Sequence, residues 1–371
     1  MIKKTILNNK KFIILYSIIL LIGMLIIVWG YNNYGIYNEP IAKITKVEEN
    51  LIETNELKFG YKEQIYKQSI EAVIKNTGDK NKTIKIENEY HGTQAYDQKY
   101  KVGDEVFVSL NKRDNEIINS NIEGYKRDKY IILTAVVLLL TIILVGKIKG
   151  LLSIVSVIIN ILLFYLIIHL NTKGLSLVWL SFIGAILFST ICLFLVSGPN
   201  KKSIAAIVSS IISVTITTFI AIIVYKVTRG NGIRFEQMEL LTRPFEGIFI
   251  SELILGGLGA IMDISITMSS SLNELIDKNN RIPIKNLSKS GINIGKDVMG
   301  TMINVLFFTY ICSVIPNLVI YFRNGITIGS LLHEYISLEM SRAIIGAIGI
   351  VITIPISITI CLLFFKGRLK K

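Results

Sequence analysis

Carboxylates and a run of hydroxyls interrupt a stretch that is otherwise apolar enough to cross a bilayer. Residues 246–274 read EGIFISELILGGLGAIMDISITMSSSLNE. Glu252, Asp263, Thr267, Ser270 and Glu274, with Gly256 and Gly259 between them, follow at steps of 4, 3, 4, 4, 3 and 4. At about 3.6 residues per turn this spacing places all seven on one helix face. The stripe is about 33 Å long at ~1.5 Å per residue, close to the thickness of a hydrocarbon core. A carboxylate at mid-membrane costs about 2.5–3.5 kcal/mol even on the more lenient insertion scale. Such a face is expected to turn toward protein or water. Its chemistry would be that of a proton, an ion or a polar substrate group passing through the membrane. Asp263 is the residue least explained by helix packing. Gly256, Ala260 and the hydroxyls also fit ordinary close contact between helices.

The next apolar segment carries a second polar face. Asn293, Asp297, Thr301 and Asn304 lie at steps of 4, 4 and 3. If the two helices are antiparallel neighbours, Thr301 and Asn304 come to the depth of Asp263, in the cytoplasmic half of the bilayer. Asp297 then lies near the cytosolic mouth. Asn293 and Asp297 also suit a helix N-terminus, the first as a cap and the second opposite the dipole. In the last segment Arg342, Gly346, Gly349, Thr353 and Ser357 share a face, and Pro355 can kink the helix. Arg342 sits at the same edge as Glu252, so it either pairs with it or snorkels to the interface. Ser209, Ser213 and Thr217 share a face of an earlier segment and read as packing hydroxyls. The first four segments are nearly featureless and read as scaffold.

Other chemistries find little support. No Walker pattern, no Gly-x-Gly-x-x-Gly after a strand and no His-Glu-x-x-His is present. Ser269–Ser271 has no histidine nearby to act as a base. Cys192, Cys312 and Cys361 all lie in apolar segments without metal-ligand spacing, and His91, His169 and His333 are far apart. The expectation is a protein that is not an enzyme and uses no cofactor or metal.

These residues must be held by a multi-span bundle. The chain has 371 residues, 51% of them hydrophobic, with a mean hydropathy of +0.55. About eight spans are expected, near 12–30, 129–146, 150–169, 175–196, 204–225, 247–272, 298–321 and 341–364. The net charge of +13 is not a nucleic-acid signature. The excess sits in alternate short loops and at the two ends, as a positive-inside bias requires. That places both termini in the cytosol of a plasma membrane. Residues 1–30 then form an uncleaved anchor, residues 31–128 an extracytoplasmic domain, and residues 129–371 a seven-span domain with polar spans 247–272 and 298–321.

Residues 31–128 hold 15 Lys/Arg against 17 Asp/Glu and no cysteine, so no disulfide staples them. Ile84 and Ile86 alternate with Lys85 and Glu87, and Val106 and Val108 with Phe107 and Ser109. The turn-forming run Asn76–Asp79 lies between such segments. Four or five short strands suit a small β-barrel-like, OB-like domain. Its slight acidity and lack of an aromatic-basic stripe argue for a protein-contact module instead of a nucleic-acid binder. Partners are then the lipid bilayer and a protein met by this domain, and self-association stays open.

The strings GGLGAIMDISITMSSSLNEL (256–275) and SGINIGKDVMGTMINVLFFTY (290–310) resemble the signature region of the YibE/F family of bacterial membrane proteins. The plan of anchor, external β domain and multi-span block resembles it too. Carried onto this chain, the resemblance implies signature positions at Asp263, Ser265, Ser269, Ser271 and Glu274, and at Asn293, Gly295, Asp297, Gly300, Thr301 and Asn304. It implies architecture and location, not a substrate. More faintly, a polar span followed by a basic stretch is similar to the last spans of the resistance-nodulation-division export proteins. That likeness implies proton coupling through membrane carboxylates. An ion- or proton-coupled transporter or export factor is therefore the leading expectation. A non-transporting scaffold or sensor that acts through the external domain is the alternative.

Overall fold

A computed structural model describes residues 2–56, 62–94, 97–113, 116–230, 235, 245–334 and 336–365. The basic C-terminal residues Lys366, Arg368, Lys370 and Lys371 lie outside them, as does the side chain of His333. The chain divides into two compact units, residues 1–150 and 151–371.

The first unit begins with α1 (Ile2–Tyr31) and a short 3-10 turn (Asn33–Ile36). Five strands follow: β1 (Ile41–Glu56), β2 (Lys62–Ile74), β3 (Thr83–His91), β4 (Glu105–Arg113) and β5 (Glu116–Tyr125). The sheet order is β3-β2-β1-β4-β5 and every pairing is antiparallel. Alternation drives one face inward. Ile44, Ile70, Ala72, Ile74, Ile84, Ile86, Val106 and Val108 form its core.

The expected OB-like barrel is not what forms: the sheet is open. Its edges, β3 and β5, touch through the Ser120 hydroxyl, which donates to the Lys85 carbonyl at 2.8 Å, and no main-chain ladder joins them among the described residues. A barrel needs continuous pairing around its circumference with a fixed stagger. Here β1 and β4 share only the register pairs of Ile41, Ala42 and Lys43. The rest of β1 runs on with β2, past register shifts at Ile44/Lys46 and Leu51/Glu53. A sheet joined by so short a seam has little to roll it shut.

The span count is also corrected. Six helices among the described residues are long and apolar enough to cross a membrane, not eight. Two features account for the difference. The side chains of residues 2–15 lie outside the described residues, so α1 contributes only Tyr16–Tyr31 to this count. The expected spans 129–146 and 150–169 are the two helical halves of one continuous element, α2 (Asp128–Thr172), which is counted once. This 45-residue helix is broken at Lys147, whose φ is 51° and ψ −128°. Beyond the break Gly150 comes against the Ile142 carbonyl, an approach that leaves no room for a Cβ.

The second unit contains the rest of α2 and then α3 (Leu177–Ser197), α4 (Lys201–Thr228), α5 (Phe245–Lys278), α6 (Ile284–Arg323), α7 (Ile328–Glu334) and α8 (Ser337–Phe365). Helix α5 lies at the centre and packs on α3, α4, α6 and α8. Its buried line runs through Ile254, Leu258, Ile261, Ile264, Met268, Leu272 and Ile276, at helical spacing. Ile350, Ile354 and Ile358 of α8 meet it in one core with Leu287 and Leu306 of α6. Small residues set the close crossings. Gly349 of α8 lies against Ile261 and Thr217, and Gly295 of α6 against Ile354.

Candidate functional site

The line of core residues fixes how α5 is rotated, and this decides where the polar stripe points. Asp263 follows Ile261 by about 200°, so it projects away from the core side. Gly256, Gly259, Asp263 and Glu274 are exposed, while Glu252, Thr267 and Ser270 are half-buried. The serines that turn inward are Ser251, Ser265 and Ser269, which lie off the stripe. The Ser269 hydroxyl donates to the Lys202 carbonyl of α4 at 2.7 Å. The stripe thus shares a face as its spacing predicts, but that face lies outside the packed core.

Around Asp263 the face borders a cavity of about 650 Å³, walled by α2, α3 and α5. Val157, Ile161, Phe164, Phe188, Leu193, Leu255, Leu258 and Met262 make most of the wall, and Asp263 is the only carboxylate in it among the described residues. Asn160, from a segment read as scaffold, faces the same space. Its buried Oδ1 has no hydrogen-bond partner among the described residues. Asp263 itself makes no hydrogen bond or ion pair to another described residue. The site therefore offers one free carboxylate and one orphan amide oxygen inside hydrocarbon walls.

Helix α6 is an antiparallel neighbour of α5. Leu272 packs on Gly291, and Tyr310 reaches Gly256 at the other end. Between these two contacts, Asp263 comes level with Met302 and Ile303. Thr301 and Asn304 are therefore at its depth, yet no hydrogen bond joins them to it. Thr301 donates to the Val298 carbonyl at 2.9 Å and Asn304 to the Gly300 carbonyl at 3.0 Å, both within α6. Asn293 and Asp297 are exposed on the same helix. The cap of α6 is Pro283, so Asn293 and Asp297 lie well inside the helix and neither caps it. Glu274 stands apart at the far end of α5 in an exposed pair with Lys278 at 2.8 Å.

Glu252 lies at the opposite end, and there the pairing alternative holds. Arg342 of α8 donates from Nη2 to Glu252 and from Nη1 to Glu339 at 2.5 Å. Glu252 and Arg342 border a second cavity of about 550 Å³ that also includes Ser181, Ser251, Leu255, Gly256 and Tyr310. Phe164 and Leu255 line both cavities, so these two side chains form the partition between them. Glu339, Tyr310, Ser181 and Asn160 escape a reading of the sequence. Glu339 had a signal, since it stands three residues before Arg342 on one helix face. Asn160 had a weaker one, as the lone amide within its span. Among the described residues, no group of three or more His, Cys, Asp or Glu could hold a metal ion.

A helical membrane bundle with a polar, cavity-lined central helix, preceded in the chain by a small antiparallel sheet, defines a multi-pass membrane protein with an appended β domain. The YibE/F-like protein family matches residues 134–367, and the YibE/F family N-terminal domain matches residues 35–125. The chain belongs to the YibE/F family. No curated protein and no solved structure matches it.

Proposed function

We propose that this protein is an ion- or proton-coupled transporter or export factor in which Asp263 is the coupling carboxylate. The observation that carries this reading is Asp263, without an ion-pair partner among the described residues, facing a cavity of about 650 Å³ with mostly apolar walls midway along a central membrane helix. A carboxylate so placed is costly as a bare anion and gains from a proton or a cation. Asn160 is the second polar group of the compartment. Thr301 and Asn304 stand level with it on α6 and take part once their side chains release their own helix, and Asp297 marks the approach. Thr267 and Ser270 continue the polar face toward Glu274, while Glu252 belongs to the compartment beyond Phe164 and Leu255. The distribution of basic residues supports a plasma-membrane protein with both termini in the cytosol and the β domain outside.

The test is flux in reconstituted vesicles under an imposed proton or cation gradient. Asp263→Asn at equal incorporation should abolish gradient-dependent flux, and unaltered dependence would remove Asp263 from the mechanism. Deleting residues 40–125 separates the alternative: a scaffold or sensor loses function with that deletion and is indifferent to Asp263→Asn.

A further inference from the structure

We infer that the cavity at the Glu252 end of α5 is a binding site for a monovalent amphiphilic organic cation. Its charges do not balance. Among the described residues Arg342 serves two carboxylates, Glu252 and Glu339, so the cluster they form carries one net negative charge. The three members are not equally available. The side chains of Arg342 and Glu339 are 12% and 14% exposed, whereas that of Glu252 is 41% exposed and borders the cavity. The excess charge is thus offered to the cavity through Glu252. One polar atom in the wall lacks a partner among the described residues: Ser181 is fully buried and its hydroxyl oxygen has no hydrogen-bond partner. A packed structural ion pair would not leave that hydroxyl orphaned.

The rest of the wall selects the ligand class. Phe164, Ile167, Leu177, Ile248 and Leu255 make it predominantly apolar. A small inorganic cation would find one available carboxylate and mostly hydrocarbon, a poor exchange for its hydration shell. An anion would meet a net negative charge. An uncharged acyl chain would fill the walls and leave that charge uncompensated. An organic cation satisfies both features, with its charge at Glu252 and its apolar groups on the walls. The Phe164 and Tyr310 rings add faces that a cation favours. At about 550 Å³ the space falls within the range of small-molecule sites. This assignment is independent of coupling at Asp263, because binding at Glu252 needs no proton there.

Equilibrium binding of radiolabelled tetraphenylphosphonium to the full-length protein in detergent tests it. Saturable binding is expected, with competition by other lipophilic monovalent cations and none by uncharged tetraphenylsilane. Glu252→Gln should weaken it about tenfold or more. Ile248→Trp, which fills the cavity and keeps every charge, should weaken it similarly and decides the matter if Glu252→Gln does not fold. Asp263→Asn should bind as the wild type does, whatever its effect on flux. Absent saturable binding, equal competition by the silane, unchanged binding in Ile248→Trp, or loss in Asp263→Asn alone would each overturn the assignment.

Discussion

Arg342 reaches Glu252 across ninety residues of chain and ties the last helix of the bundle to its central one. The same guanidinium holds Glu339, one turn back on its own helix. Removing a partly buried charge partner costs more than the bond is worth, because the opposite charge is left desolvated and alone. Arg342→Ala strands two carboxylates and should destabilise the bundle by about 3–5 kcal/mol. Glu252→Gln keeps the Glu339 pair and should cost about 1–2 kcal/mol. The double variant should be less impaired than the sum of the two. Unfolding midpoints in a denaturing-detergent titration measure all three, and equal losses in the two single variants would mean that Arg342 does not bridge.

The glycines of α6 divide into two kinds. A Cβ on Gly295 would stand 2.5 Å from Ile354 Cγ2, with two further Ile354 side-chain atoms at 3.0 and 3.1 Å. Isoleucine in a helix has essentially one χ1 choice, so it yields poorly. Gly300, a turn and a half further along, has nothing within 4 Å. Gly295→Ala should therefore cost about 1–3 kcal/mol through overpacking. Gly300→Ala should be neutral or gain up to about 1 kcal/mol from helix propensity. The same titration reads both, and equal effects would contradict this packing of α6 on α8.

Much of this arrangement was legible in the sequence, and what was not has physical causes. The common face of Glu252, Asp263, Thr267 and Glu274 follows from helical periodicity, which is a local property. The antiparallel pairing of α5 and α6 follows from their short connection. Which way the face points does not follow. Polar and small residues mark both an inner face and a groove, and only the partner helices decide between them. Ser265 and Ser269 point inward while Asp263, two residues before Ser265, points out. Sheet closure was illegible for a similar reason. Alternation at Ile84 and Val106 identifies strands, but the three-residue seam between β1 and β4 depends on register over long sequence distances. The break at Lys147 had no turn-forming residue of its own. Gly146 and Gly150 around it were the available signal.

Two inward serines of α5 lie one turn apart and do different things. The Ser269 hydroxyl ties α5 to the start of α4 through the Lys202 carbonyl. The Ser265 hydroxyl is buried and has no hydrogen-bond partner among the described residues. Ser269→Ala should therefore cost about 1 kcal/mol, the usual net value of such a bond. Ser265→Ala should be neutral or stabilising, because it removes a buried unsatisfied group. Unfolding midpoints distinguish them, and a larger loss at Ser265 would require a partner for that hydroxyl.

In the first unit, Lys126 is fully buried where β5 gives way to α2. Its ammonium donates to Asn33 at 2.8 Å and Asp128 at 2.9 Å, and lies 3.7 Å from Glu105. The rings of Tyr34 and Tyr37 stand 5.3 and 5.7 Å away. These contacts hold the 3-10 turn, the sheet and the start of α2 together. Lys126→Met keeps the stem and removes the charge, leaving Glu105 and Asp128 unopposed. It should cost about 3–5 kcal/mol. Hydrogen exchange over residues 33–128 of the full-length protein should show faster opening there, and unaltered protection would deny Lys126 this role.

Two ion pairs beside β3 titrate with opposite sign. Lys112 and Lys82 beside Asp79 hold its carboxyl below the ordinary carboxylate value. A carboxylate depressed in the folded state contributes stability above its unfolded value of 3.8, and this is lost as pH falls through the lower folded value. Asp97 beside His91 raises the imidazole above its ordinary 6.5. That contribution is complete below 6.5 and is lost as pH rises through the higher folded value. Protection of residues 76–91 against exchange, corrected for intrinsic rates, should therefore be greatest between these limits. Asp79→Asn should shallow the acid limb, to which Glu48 and Glu49 also contribute, and leave the other. His91→Gln should flatten the upper limb and leave the acid one. Because each variant removes one partner of one pair, a change in both limbs from either substitution would show that the pairs are not the separate titrations their geometry describes.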